Sequence, residues 1–153
     1  MIPLDARDRD ILAELQDDGR LTNAELAERV GLSPSACLRR TRLLEEAGLI
    51  SGYVMLLDPR KVGFTGTAFV SVTLAQQGRA ELERFERAVK RLPEILECYL
   101  LAGEYDYLLK IAYRDSEHLE RIHTDTLTQL PGVVRVHSSL TLRAVKRTTS
   151  LPV

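Results

Sequence analysis

Ser35, Arg39 and Arg42 recur at helical spacing, with Arg40 at their flank and no acid after them until Glu45. On a helix these residues form one stripe. A guanidinium can donate two parallel hydrogen bonds to guanine O6 and N7 or clamp a phosphate, and a serine hydroxyl can bond either group. The chemistry offered is therefore recognition of double-stranded DNA. Arginines on an exposed face can also be simply solvated, so the elements around them decide. Cys37, Thr41, Leu44 and Gly48 fall on the opposite stripe and are expected to pack inward.

Those elements carry strong boundary signals. Thr22 and Glu25 have the spacing of a capping box, and the helix they open stops at Gly31. Ser33-Pro34 then gives an N-cap followed by proline at the first helical position, and the second helix runs to Gly48. Two helices joined through Gly31-Leu32 form a helix-turn-helix, the unit that lays its second helix in the major groove. Upstream, Asp5 can cap a helix carrying Ile11, Leu12 and Leu15 that ends near Asp17-Asp18-Gly19. Downstream, residues 50–57 are rich in strand formers and close at Asp58-Pro59, which predicts a strand or wing. Candidate DNA-binding residues are Ser33, Ser35, Arg39, Arg40 and Arg42.

Composition sets the outer bounds. The chain has 153 residues, 44% hydrophobic and 28% charged, which suits one or two ordinary globular domains. A formal net charge of −1 means that DNA affinity must come from local clustering of arginines. No apolar run approaches a membrane span, and the first residues lack the features of a signal peptide, so no membrane partner and a cytoplasmic location are expected. Cys37 and Cys98 lie in apolar patterns without partners at metal-ligand spacing, as reduced, buried thiols would.

The remainder alternates strand and helix patterns. Residues 67–74 alternate as a strand; Leu82, Phe85, Val89 and Leu92 mark a helix face; residues 95–101 and 107–113 are further strands. Ser116 opens a helix carrying Leu119, Ile122, Leu127 and Leu130, and residues 133–145 read as a long strand. The order is βαββαβ. Leu92-Pro93-Glu94-Ile95 and Leu130-Pro131-Gly132-Val133 repeat at corresponding helix-to-strand junctions, as two halves of a ferredoxin-like sandwich would. The expected class is α+β, with a winged helix-turn-helix domain over residues 1–60, a linker over 61–66 and a ferredoxin-like domain over 67–153. Two helices cover one sheet face, and a second copy of the domain is the simplest cover for the other.

Together Leu4-Asp5, Asp8, Ile11-Leu12, Asp18-Gly19-Arg20, Leu26-Ala27, Val30-Gly31-Leu32-Ser33, Gly48, Ile50, Gly103, Tyr105-Asp106-Tyr107 and Leu130-Pro131-Gly132-Val133 stand in the order and spacing of a known family. The chain resembles the Lrp/AsnC (leucine-responsive, feast/famine) transcriptional regulators over almost its full length. The resemblance implies a sequence-specific DNA-binding regulator and a C-terminal domain that dimerises, assembles dimers into tetramers or octamers, and senses a small molecule, usually an amino acid. It also implies pairing between subunits for residues 50–57. Cys37 and Thr41 stand where β-branched residues are usual, and Ser138 where threonine is common.

For the stretch Gly103-Glu104-Tyr105-Asp106 two readings stand. As structure it is a hairpin turn in which glycine supplies an unusual backbone angle and Asp106 bonds locally. As a site, a zwitterionic amino acid needs an acceptor for its ammonium and donors for its carboxylate. Asp106 would supply the first, and the loop amides around Gly103 with the Ser138 hydroxyl the second. The family resemblance favours the site, so Gly103, Glu104, Tyr105, Asp106 and Ser138 are the candidate effector-binding residues.

Other chemistries fit poorly. His118 and His123 do not share a helix face as zinc ligands would, His137 has no nearby cysteine, and neither a Gly-x-Ser-x-Gly elbow nor a phosphate loop occurs. No catalytic or metal-binding residue and no cofactor are expected. A ligand-independent architectural DNA-binding protein is the alternative function, and a small ligand-binding enzyme subunit a third, since fold alone excludes neither.

Overall fold

The computed structural model describes residues 3–153. They form two compact units, one comprising the chain up to Leu56 together with Lys146–Val153, the other Leu57–Val145.

The first unit holds α1 (Ala6–Asp17), α2 (Asn23–Arg29) and α3 (Pro34–Glu46). Each begins where a cap was expected. Asp5 and Asp8 form a reciprocal capping box, as do Thr22 and Glu25, and Ser33 accepts from Ala36 N ahead of Pro34. Gly31 and Gly48 follow α2 and α3 at φ 65° and 71°, the left-handed conformation that lets a chain leave a helix and that L side chains adopt only at a cost. Ile11, Leu12, Leu26, Ala27, Val30, Cys37 and Leu44 form the core between the helices. Cys37 and Leu44 point inward as their stripe required, and Thr41 is half-buried with its hydroxyl returned to Cys37 O.

Residues 51–58 form no strand among the described residues, contrary to the expectation from their composition. A strand exists only through its partner's ladder, and none lies alongside here. Val54 and Met55 are each 82% exposed in consequence.

The second unit runs β1 (Gly66–Leu74), α4 (Arg79–Val89), β2 (Ile95–Leu100), β3 (Tyr107–Tyr113), α5 (Ser116–Arg121) and β4 (Val133–Leu140). The strand order β2-β3-β1-β4, antiparallel at each pairing, is that of the expected ferredoxin-like sandwich. Ala68, Val70, Val72 and Leu74 alternate onto the helix-covered face, where they meet Phe85, Val89, Leu109, Ile111, Ile122 and Leu127. The repeated junctions fold alike: Ile95 N donates to Leu92 O, and Val133 N to Leu130 O, each at 3.2 Å.

Two expectations change in detail. The helix from Ser116 keeps α geometry only to Arg121, then passes through a π turn (Ile122–Thr126) and a 3-10 turn (Leu127–Gln129). Ile122 and Leu127 are five residues apart, a spacing that would splay them around a regular α-helix; the wider turn absorbs the extra residue, and both reach the core. The last strand ends at Leu140 rather than Val145, and just past it the Thr67 carbonyl accepts from both Thr141 N and Thr141 Oγ1.

Candidate DNA-reading face and effector loop

The outward side of α3 presents Ser35, Arg39 and Arg42 around a shallow groove completed by Leu38, Leu43 and Glu46. Arg39 and Arg42 are exposed, and Leu38 and Leu43 are 40% and 51% exposed beside them. Charged donors flank apolar groups, so the face can bond guanine edges or phosphates and also touch a thymine methyl. The two leucines were not anticipated; their signal, apolar residues between the stripes, was present but easily assigned to the core.

Ser33 and Arg40 are committed elsewhere in the unit. Ser33 Oγ caps α3 and lies 3.3 Å from Ser35 Oγ. Arg40 Nη1 donates to Asp5 Oδ2 and Asp8 Oδ1, both at 2.7 Å, instead of projecting with Arg39 and Arg42. Hydrogen bonds to Asp5 and Asp8 hold its guanidinium pKa above the ordinary arginine value. That of Asp5 lies below the ordinary aspartate value, first through the Asp8 backbone N–H and then through Arg40.

In the second unit the turn between β2 and β3 is closed by Leu101 N donating to Asp106 O at 2.8 Å. Gly103 and Glu104 are exposed at its tip. Gly103 is not among the glycines at positive φ, and a Cβ built on it meets open space among the described residues, so the expected unusual angle is absent and glycine is not needed for the turn itself. Tyr105 stacks on His137 of β4, ring centroids 6.3 Å apart.

Asp106 is 8% exposed, not a surface turn residue. Its Oδ2 accepts from Leu74 N and its Oδ1 from Gln77 Nε2, each at 2.7 Å, while its own N–H donates to Val72 O. Both carboxylate oxygens thus already hold protein donors, and the side chain ties the turn to the end of β1. Sequence reasoning missed Gln77, which lies in a segment with no local pattern to single it out, and weighed His137 only as a metal ligand.

Ser138 is opposite Val70 in the β1–β4 ladder, so its side chain shares the helix-covered face while Tyr105 and His137 take the other. Its Oγ is buried and lacks a hydrogen-bond partner among the described residues. Within one chain, then, the structure brings Tyr105 and Asp106 to the sheet but does not converge them on Ser138.

Both halves of the chain match known proteins. Residues 4–51 match the family model of a winged helix-turn-helix DNA-binding domain, and residues 67–151 that of the Lrp/AsnC ligand binding domain. The leucine-responsive regulatory protein of Escherichia coli is 43% identical over 148 residues, covering 97% of this chain and 90% of the relative. A transcriptional regulator from Neisseria meningitidis, crystallised as an L-Met complex, superposes with a TM-score of 0.94 at 44% identity, covering 98% of this chain and 97% of that one. An AsnC family regulator from Agrobacterium tumefaciens gives a TM-score of 0.92 at 38% identity, with 97% of each chain covered. With both halves matched in order and nearly the whole length aligned, the chain belongs to the Lrp/AsnC family of transcriptional regulators.

Proposed function

We propose that Ser35, Arg39 and Arg42 read DNA and that an amino acid, bound at the 103–106 turn, adjusts how the reading heads engage. The observation that carries the first half is the exposed guanidinium pair on a helix whose joint and caps are those of a helix-turn-helix. Support for the second comes from the Neisseria meningitidis regulator in complex with L-Met and from the leucine-responsive relatives. Methionine and leucine are therefore the first ligands to test. The reading takes the chain as no enzyme, working in the cytoplasm without a cofactor other than this effector.

Assembly completes the reading. The apolar run Val54, Met55, Leu56 and Leu57 is exposed, and so are Phe69 and Tyr99 on the open sheet face. A second copy would give residues 50–57 their missing strand partner and cover that face, making a dimer from which tetramers or octamers can grow. Residues 1–60 serve as the reading domain, 61–66 as linker and 67–153 as the sensing and assembly domain. An effector shifts assembly only through differential affinity for the assemblies, and assembly sets how many heads bind at once.

The test combines selection of a high-affinity duplex from random sequence with thermal shift and sedimentation against the twenty amino acids. A ligand that binds the native state raises the melting temperature. Duplex selection together with a ligand that changes sedimentation supports the reading; selection with no ligand response leaves the architectural alternative, and failure to retain any duplex removes the DNA role.

A further inference from the structure

One guanidinium joins the start of α1 to the flank of α3. Asp5 Oδ1 accepts from Asp8 N at 2.9 Å, and Asp8 Oδ2 accepts from Asp5 N at 3.3 Å, so each carboxylate gives one oxygen to the backbone. The two remaining oxygens both receive Arg40 Nη1. The side chain of Arg40 is only 26% exposed and that of Asp8 17%, whereas Arg39 and Arg42 stand in the open. Charge-assisted bonds of this length are strong and directional, and a phosphate could take Arg40 Nη1 only by breaking both. Asp8 also stands with Arg39 along the α3 surface, where unneutralised it would repel a DNA backbone.

We propose that Arg40 is a positioning residue: it locks α3 to the capping box of α1, so aiming Arg39 and Arg42, and makes no phosphate contact of its own. Base readout tolerates little misplacement, since a bidentate arginine must be held to within about half an ångström of its productive geometry. Of three neighbouring arginines with similar sequence character, two act on DNA and one acts on the protein. The inference rests on the DNA-reading role of α3 and assigns a division of labour within it.

The experiment measures binding of the full chain to the selected duplex and to an unrelated one over a salt series, well below the melting transition of every variant. Loss of a phosphate contact lowers the slope of log affinity against log salt by about 0.9. Arg40→Ala is expected to leave that slope unchanged while the ratio of selected to unrelated affinity falls about tenfold or more, the scale of one lost base contact. Arg40→Lys should recover part of the ratio. Asp5→Asn with Asp8→Asn, which weakens the hold on Arg40, should lower the ratio and steepen the slope. Should Arg40→Ala fold poorly, the lysine and asparagine variants carry the test.

A slope reduced by about 0.9 in folded Arg40→Ala makes Arg40 a phosphate ligand and overturns the inference. An unchanged ratio in the folded variant overturns it as well, reducing the lock to a stabilising contact. Arg39→Ala and Arg42→Ala are the control: if neither changes slope or ratio, the reading of α3 itself has failed, and this inference with it.

Discussion

Replacing Asp106 with alanine tests what the 103–106 turn is built on. The side chain accepts from Leu74 N and Gln77 Nε2 at 2.7 Å each, in a position 8% exposed. Alanine leaves the Leu74 N–H without an acceptor at a residue 4% exposed, which costs about 1–3 kcal/mol. Gln77 is nearer solvent and can rehydrate, so its lost bond adds about 1 kcal/mol net. The expected destabilisation is about 2–4 kcal/mol, with a fall in melting temperature of roughly 4–8 °C for each kcal/mol in a unit of this size. Asp106→Asn keeps an oxygen for Leu74 N, and Gln77 can turn its amide to accept from the new NH2, so it should cost about 1 kcal/mol. Urea titration of the full chain followed by circular dichroism gives the energies, and hydrogen exchange at the Leu74 amide reports the bond itself. An alanine variant within about 0.5 kcal/mol of wild type and with a protected Leu74 amide would refute the argument. The expected loss would establish the structural role of Asp106; its carboxylate has lone pairs beyond these two bonds, so direct contact with an effector is read separately, by calorimetric titration of the amino acid into Asp106→Asn.

Gly66→Ala should destabilise the start of the inner strand β1 by about 1–3 kcal/mol, because a Cβ there would run into the Tyr113 ring, and equilibrium unfolding checks it. Ser138→Ala is expected to be neutral or to stabilise the ligand-free chain by up to about 1 kcal/mol, since its buried hydroxyl lacks a partner, while weakening the calorimetric affinity for the amino acid if that hydroxyl meets the effector. Burial, then the nearby Glu86, raises the Cys98 thiol from 9.0 to about 11. The fold therefore favours the protonated thiol, so the stability this group contributes is intact below pH 9.0 and declines toward about 11, and native Cys98 should alkylate far more slowly at pH 8 than in urea. Asp5, held below its ordinary 3.8, favours the folded helical unit above that value, and its contribution should be lost as pH falls through and below it, read by acid titration of helicity against Asp5→Asn.

Local chemistry explains how much of the fold the sequence discloses. Thr22 with Glu25, Ser33 with Pro34, and the glycines at 31 and 48 satisfy helix ends whatever lies around them, and all appear where the spacing puts them. The alternation through Val70 and Val72 gives a strand and its buried face together. Residues 50–57 carry the same propensities yet form no strand here, because ladder formation depends on a neighbour that the segment does not encode. The interruption after Arg121 is likewise a tertiary event: Ile122 and Leu127 must both reach one core, and the helix widens to let them.

The site was less legible because a polar residue's type tells what it can bond, not which bond it makes. Arg39, Arg40 and Arg42 are alike in sequence, and only the return of α1 beside α3 separates Arg40 from the others. Asp106 has the profile of an exposed turn acid, but Leu74 N and Gln77 claim both its oxygens from a segment about thirty residues away. Arg40 Nη1 and both Asp106 oxygens already hold partners within the fold, and removing either side chain would leave those partners orphaned. Arg39 and Arg42 stand exposed on α3 and are the groups proposed to meet DNA, whereas the Ser138 hydroxyl, buried on the helix-covered face, has no partner among the described residues.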